Sequence, residues 1–576
     1  MSDIQIKRAI IAVYDKTGIA DFARALVDEF GIEIISTGGT AKHLKAAGIP
    51  VTMVEEVTGF PEMLDGRVKT LHPMIHAAIL ADRDNPEHLK TLEKHGIKPI
   101  DMVVVNLYPF EKTIADPNCT FEQAIEMIDI GGPCMLRAAA KNHRHVVVLP
   151  TPLAQEVALQ ALRTRGAIAD VHSQQFASWV YRLTASYDAL ISQYLGDGRY
   201  EKLPSFRMQA LVSPAVLRYG ENPDQAARPF RFDDRTTSEC NTLYTQPQPP
   251  FPSPCRSGGS MSFNNYVDGD SALSLVKELS RANLRVKPAS CRSAPQDAGP
   301  TPGRHAVAFI KHTNACGCAI GDDPVETYRR AYLGDPIAAA GGVLCMNYPV
   351  THQIADTVMN SFGKWGKAAG AAFFKLDVWI APSFDDDALE LITTPTEKRK
   401  WGKECRLLSV GPMDGPPDPN ELDYKKIVGG MLVQTRDLLG LNEDQWKIVT
   451  KRKPTESEMA DLQFAWLVCK HTKSNAITIC QDGMLLGNGA GQMSRVKSCD
   501  LAVQLSRENG HGDKLKGAVA AGDAFFPVPD GPQKLIDAGI TAIIHPGGSN
   551  RDAETVALCD TAGVAMIITG TRHFKH

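Results

Sequence analysis

No stretch of the 576-residue chain approaches the roughly 20 consecutive apolar residues that a membrane-spanning helix needs. Basic tracts of the kind that track nucleic acid are missing, and so are the long charge blocks of disordered tails. The formal net charge is only -4. An anionic ligand must therefore be met by local Lys, Arg and backbone N–H groups. The 13 cysteines include no C-x-x-C pair. Such an odd, scattered set reads as reduced thiols. The N-terminal run MSDIQIKRAIIAVYDKTG reaches Asp15 and Lys16 too soon for a signal peptide, so the expected location is the cytosol. What remains, 43% hydrophobic and 22% charged, is ordinary globular composition. The length predicts about three to four domains.

Residues 1–150 alternate between strand and helix patterns. RAIIAVYD, EIIST, PIDMVVVNLYPF and HRHVVVLP read as strands. IADFARALVDEFG and AKHLKAAG read as helices ended by Gly31 and Gly48, and FEQAIEMIDI as a further helix. The alternation predicts a doubly wound α/β layer, with ligands at the carboxyl ends of the strands. Residues 151–200 read as two helices. A second α/β module begins near 205. It contains the helix DSALSLVKELSRA and the strand-to-turn units HAVAFIKHTN and AITICQDG. Pro-, Ser- and Gly-rich stretches cover 245–260 and 287–304. There is no exact internal repeat, but the two strand-to-turn units are candidates for two similar subdomains.

In the first module the polar residues after each predicted strand are the candidates. Lys16 follows the first strand. Ser36, Thr37, Gly38 and Gly39 follow the second and open a helix, the arrangement that cradles phosphate on converging N–H groups. The loop GRVKTLHP puts Arg67, Lys69 and Thr70 together; Arg suits bidentate phosphate contact and Lys a compact positive charge. Tyr108, Asp129 and Lys141 complete the set. Taken singly, each has a bland alternative as a tight turn, a solvated basic loop, a core aromatic or a cap.

In the second module Arg218 and Tyr219 enter the turn RYGENPDQ. Lys311 and His312 follow the strand AVAFI, and Asn475 precedes AITIC. Asp335, Arg495, Phe525, Asp530, Ser549 and Arg572 lie in further polar or Gly-rich turns. His is the side chain best suited to proton transfer near neutral pH. A zinc deaminase reading of His312, Cys316 and Cys318 fails on pattern: such enzymes carry H-x-E with P-C-x-x-C, whereas this chain offers KHTN and C-x-C. No zinc is expected.

STGGTAKHL, TGFPEMLDGRVKTLHP, NLYPF, IDIGGPCMLRAAAKNH and SYD, in this order and spacing, resemble the IMP cyclohydrolase module. RYGENP, SFNN, FIKHTN, GDPIAAAGG, KIVTKRKPT, SNAI, GAGQMSR, DAFFPVPDG, PGGS and TRHFKH resemble the AICAR transformylase module. The chain is thus similar to the bifunctional AICAR transformylase / IMP cyclohydrolase family over most of its length. The resemblance implies an α/β protein. A methylglyoxal-synthase-like doubly wound domain over 1–200 is followed by a transformylase domain over 201–576. The latter is expected as two cytidine-deaminase-like subdomains, roughly 201–385 and 455–576, with an intervening segment.

The resemblance also implies the chemistry: formyl transfer from 10-formyl-tetrahydrofolate to AICAR, then closure of FAICAR to IMP. A cytoplasmic homodimer that uses these small molecules, and neither nucleic acid nor membrane, is expected. Lys69, Tyr108, Asp129 and Lys141 would form the cyclising centre, with Lys16, Ser36, Thr37, Gly38, Gly39, Arg67 and Thr70 holding the nucleotide. Lys311, His312 and Asn475 would carry formyl transfer, with Arg218, Tyr219, Asp335, Arg495 and Arg572 on substrate and Phe525, Asp530 and Ser549 on folate. Ring closure needs a folded near-attack geometry and an oxyanion partner, for which Lys69 is suited. Asp129 with Lys141 is the expected proton relay. The aminoimidazole amine is a poor nucleophile, and His312 is the expected base. The chain departs from the family pattern at Asp224, where members carry His, at Tyr14, and over 231–260 and 284–304. A cyclohydrolase with an impaired transformylase, and a non-catalytic nucleotide sensor, are the alternatives.

Overall fold

The structure is a computed structural model that describes residues 3–61, 63–196, 211–212, 216–217, 220–232, 261–286, 301–302, 305–396 and 400–576. The chain divides into two compact units, Met1–Ala210 and Leu211–His576.

The first unit is built on five parallel strands: β1 (Arg8–Ala12), β2 (Glu33–Ser36), β3 (Thr52–Met53), β4 (Met102–Val105) and β5 (Val147–Leu149), in the spatial order β3-β2-β1-β4-β5. β4 and β5 are buried along their whole length, which explains their unbroken Val and Leu runs: helices cover both faces of a parallel sheet. The helix Ile19–Phe30 stops at Gly31, whose φ of 66° is one that glycine adopts without strain. The helices Pro152–Arg165 and Asp170–Leu195 follow, as their apolar spacing predicts. One sequence expectation needs correcting. FEQAIEMIDI is helical only over Phe121–Glu126, and Asp129 precedes a new helix, Gly131–Lys141.

The second unit contains an eleven-stranded mixed sheet. Its strands are β6 (His305–Lys311), β7 (Asn314–Gly321), β8 (Gly342–Met346), β9 (Leu376–Ala381), β10 (Arg406–Ser409), β11 (Lys447–Ile448), β12 (Ile477–Gln481), β13 (Met484–Gly489), β14 (Val519–Gly522), β15 (Ala542–His545) and β16 (Ala565–Ile568). The order β10-β9-β8-β6-β7 is mirrored by β13-β12-β14-β15-β16, and β7 meets β13 at Ala319 and Met484. In each half a hairpin is followed by one antiparallel and two parallel strands. The two strand-to-turn units of the sequence are these two hairpins. One face of the sheet is covered jointly by the helices Phe263–Arg281 and Glu456–Lys470, which bury Leu275, Val276, Leu462 and Trp466. The other face is covered half by half, around Tyr328 and Tyr332 and around Cys499 and Leu535.

Candidate active sites

In the first unit the expected residues gather at the carboxyl ends of the strands. Thr37 leads from β2 in extended conformation into the helix Gly38–Ala46 and makes no side-chain cap bond. Its Oγ1 is buried without a partner among the described residues. A buried hydroxyl left unpaired costs on the order of 1–3 kcal/mol, and here it stands beside the unsatisfied amides of a helix N-terminus. Two lysines lean onto the same turn. A Cβ on Gly38 would lie 2.5 Å from Lys69 Nζ, and one on Gly39 would lie 3.6 Å from Lys16 Cε. Lys16 Nζ also donates to the Tyr14 carbonyl at 3.0 Å. Gly38 and Gly39 therefore admit two ammonium groups over a helix N-terminus, an anion-binding arrangement. Ser36 spends its hydrogen on the Ile11 carbonyl at 2.6 Å and keeps acceptor capacity only.

Asp129 and Tyr108 stand close to each other. The Asp129 carboxylate accepts the Gly132 amide at 2.8 Å, at the start of the helix Gly131–Lys141. Burial holds the Asp129 carboxyl above the ordinary aspartate range, against the lowering effect of the Gly132 and Tyr108 amides. Burial, and then the charge of Asp129, raises the Tyr108 hydroxyl. Thr70 is buried with its Oγ1 against Gly131. Arg67 forms an exposed ion pair with Glu126, a contact of little energetic weight.

Lys141 is the residue this constellation does not gather. It ends the helix that Asp129 begins, so about 15 Å of helix rise separates their backbones. Among its nearby contacts, the Asp129 carboxylate meets the Gly132 and Tyr108 amides instead of this lysine.

Two residues without an expected role turn out to hold the site. Tyr187, in the SYD motif, accepts the Asp129 N–H at 2.9 Å and donates to the Met127 carbonyl at 3.0 Å. Asn106, in NLYPF, accepts the Tyr14 amide at 2.6 Å and donates to the Asp15 carbonyl at 2.8 Å. Both motifs were visible, but a side chain that acts through another has no distinctive residue type.

In the second unit Lys311 and His312 sit on the β6–β7 turn. Lys311 Nζ donates to the Ala340 carbonyl at 2.8 Å, within the turn that Asp335 caps through the Ala338 amide. His312 is exposed. Asn314 Oδ1 accepts the Lys473 amide at 3.0 Å, which ties this turn to the segment carrying Asn475. The C-terminal tail joins the same segment, since the Ser474 amide donates to the Lys575 carbonyl at 3.0 Å. Arg572, on that tail, lies 4.3 Å over the Phe574 ring. Phe525 is exposed in the loop after β14, and Ser549 Oγ approaches the Pro527 carbonyl of that loop at 3.4 Å. Asp530 is exposed at the head of the next helix and accepts the Gly531 amide at 2.9 Å.

Arg495 is tied into the interior. It is buried and ion-paired with the fully buried Asp523, and it donates to Asn475 Oδ1 at 2.7 Å and to the Ala476 carbonyl at 3.2 Å. Its charge is paired inside the protein, and one of its N–H groups holds the Asn475 side chain. Arg218 and Tyr219 lie outside the described residues, as do most of 231–260 and of 284–304. Asp224 is exposed in a turn closed by the Gln225 amide and the Asn222 carbonyl at 3.1 Å. Burial pushes the Cys316 thiol up to about 12 and the Cys318 thiol higher still, away from the thiolate.

The model of the AICARFT/IMPCHase bienzyme family matches residues 139–505, and that of the MGS-like domain matches residues 18–134. The chain belongs to the AICARFT/IMPCHase bienzyme family. Its relatives include the bifunctional purine biosynthesis protein PurH of Bacillus cereus (strain G9842), 42% identical over 570 residues, which cover 99% of this chain and 100% of that protein. The PurH of Bacillus anthracis (strain CDC 684 / NRRL 3495) is similar to the same extent. The match runs through both modules and gives no support to an impaired transformylase. Among the described residues, no helix is long and apolar enough to cross a membrane.

Proposed function

We propose that this chain carries out two consecutive steps of purine synthesis, one in each unit. The second unit transfers a formyl group from a folate donor, 10-formyl-tetrahydrofolate, to the amine of AICAR. The first closes the resulting FAICAR to IMP with loss of water. The full-length similarity to bifunctional relatives supports both activities. The observation that carries the cyclising site is the meeting of Lys16 and Lys69 over Gly38 and Gly39 at a helix N-terminus.

In the cyclising site the nucleotide phosphate would lie on the Thr37–Gly39 turn. The carboxamide nitrogen attacks the formyl carbon of the same molecule, and its carbonyl oxygen gains negative charge. Lys69 would stabilise that oxyanion. Asp129, whose burial raises its proton affinity, would take the nitrogen proton and return it to the oxyanion. The resulting hydroxyl would leave as water with the proton given up by the formamide N–H as the C=N bond forms, Tyr108 donating a hydrogen bond to it.

In the transformylase site His312 would remove the proton from the attacking amine. Lys311 and Asn475 would stabilise the tetrahedral oxyanion, with Asn475 fixed by Arg495. Phe525, Asp530 and Ser549 would border the folate, and Arg572 would meet an anionic group. A cytoplasmic homodimer completes the proposal.

The test supplies AICAR and 10-formyl-tetrahydrofolate to the full chain and follows IMP and tetrahydrofolate together. Equal accumulation of both is expected. Tetrahydrofolate without IMP would remove the cyclising assignment, and neither product would remove both.

A further inference from the structure

The β6–β7 connection is a two-residue hairpin in which Lys311 pairs with Asn314, and both central residues have positive φ: 51° at His312 and 67° at Thr313. Such turns favour Asn-Gly or Gly-Gly, because L residues resist this region and β-branched ones resist it most. The matching turn of the other half places Asp482 at 52° and Gly483 at 64°. There the more demanding position is glycine; here it is threonine.

Each turn is held by an aspartate from the helix packed beneath it. Asp461, on the helix Glu456–Lys470, accepts the amides of Asp482 and Gly483 at 2.8 and 2.7 Å. Asp268, on the helix Phe263–Arg281, accepts the amides of His312 and Thr313 at 3.3 and 2.7 Å. Asn314 Nδ2 adds a bond to the His312 carbonyl at 2.9 Å. The clamp belongs to both halves. Only in the first does it hold a histidine, and only there does it grip a turn without glycine.

We propose that Asp268 is a positioning residue for formyl transfer: its two carboxylate oxygens keep the His312–Thr313 backbone left-handed and so aim the imidazole at the attacking amine. The proposal rests on His312 as the base. It assigns Asp268 no contact with substrate and no proton.

The test uses the full chain. Cyclisation of supplied FAICAR serves as internal control, because it belongs to the other unit. Asp268→Asn should lower kcat for formyl transfer by about tenfold or more while leaving the KM for AICAR within about twofold. Thr313→Gly in that background should restore at least about a third of the lost rate, since glycine takes the turn without the clamp. In a His312→Ala background, Asp268→Asn should cost almost nothing further, because the two residues act as one unit. The same fold loss with and without His312, or no recovery with glycine, would overturn the positioning role alone. Near-normal transfer by His312→Ala would overturn the base assignment and the proposal with it. A variant that also loses cyclisation would point to damage beyond the turn and count against the proposal.

Discussion

Gly38 decides how closely Lys69 approaches the head of the helix Gly38–Ala46. A methyl group there would meet the ammonium at 2.5 Å, on a backbone with φ of 52°. Gly38→Ala should therefore cost about 1–2 kcal/mol of local strain and displace Lys69. Cyclisation should fall by about tenfold or more, with formyl transfer unchanged in the same preparation. Unchanged cyclisation would mean that Lys69 does not act at this turn. Asp129 gives a pH signature. Its carboxyl is raised by burial, and as a base it must be deprotonated, so the acid limb of kcat/KM for cyclisation should fall above the ordinary aspartate value of 3.8. Asp129→Asn should lose about 10²-fold or more and flatten that limb. A limb that persists in the variant would belong to another group. Lys16, Lys69, Thr70 and Asp129 stood out in the sequence because phosphate binding and proton transfer call for such residue types, and the structure sets Lys16 and Lys69 at one turn. The surroundings of Arg495 were not legible. A conspicuous arginine beside a Gly-rich turn looks like a ligand contact, and only burial against Asp523 reveals an internal charge pair.

The two hairpins show what an element adds to its residues. HAVAFIKHTN and AITICQDG were each legible as strand into turn, and both are. That they belong to two similar halves was also expected; the strand order within each half and the β7–β13 join were not legible, since they arise from contacts far apart in the chain. The aspartate clamps were equally hidden, because Asp268 and Asp461 lie on helices well before the turns they hold. The helix expected over FEQAIEMIDI ended early because Gly131 and Gly132 start a new helix whose Gly132 amide Asp129 accepts, a competition that apolar periodicity does not register. The Asp461 clamp has a thermodynamic consequence. Burial raises its carboxyl to about 6 from 3.8. A raised folded-state value favours the folded protein below the unfolded value and loses that benefit as pH rises through the folded one. The stability of the wild type relative to Asp461→Asn should fall by ~2 kcal/mol between pH 4 and pH 7. Melting temperatures of the two proteins across that range check this. A constant gap would show that Asp461 titrates as an ordinary carboxyl.

At the scale of the whole chain, the proposed function gives one reaction to each compact unit, Met1–Ala210 and Leu211–His576. The N-terminal anion cradle and the β6–β7 turn share no residue, and each is built from strands of its own sheet. Single substitutions should therefore separate the activities completely. The decisive measurement assays both reactions on Lys69→Met and His312→Ala, each prepared as the full chain. Lys69→Met should form FAICAR from AICAR at the wild-type rate and close none of it. His312→Ala should close supplied FAICAR normally and form almost none. Loss of both reactions in either variant, or retention of both in both, would contradict the assignment of one chemistry to each unit.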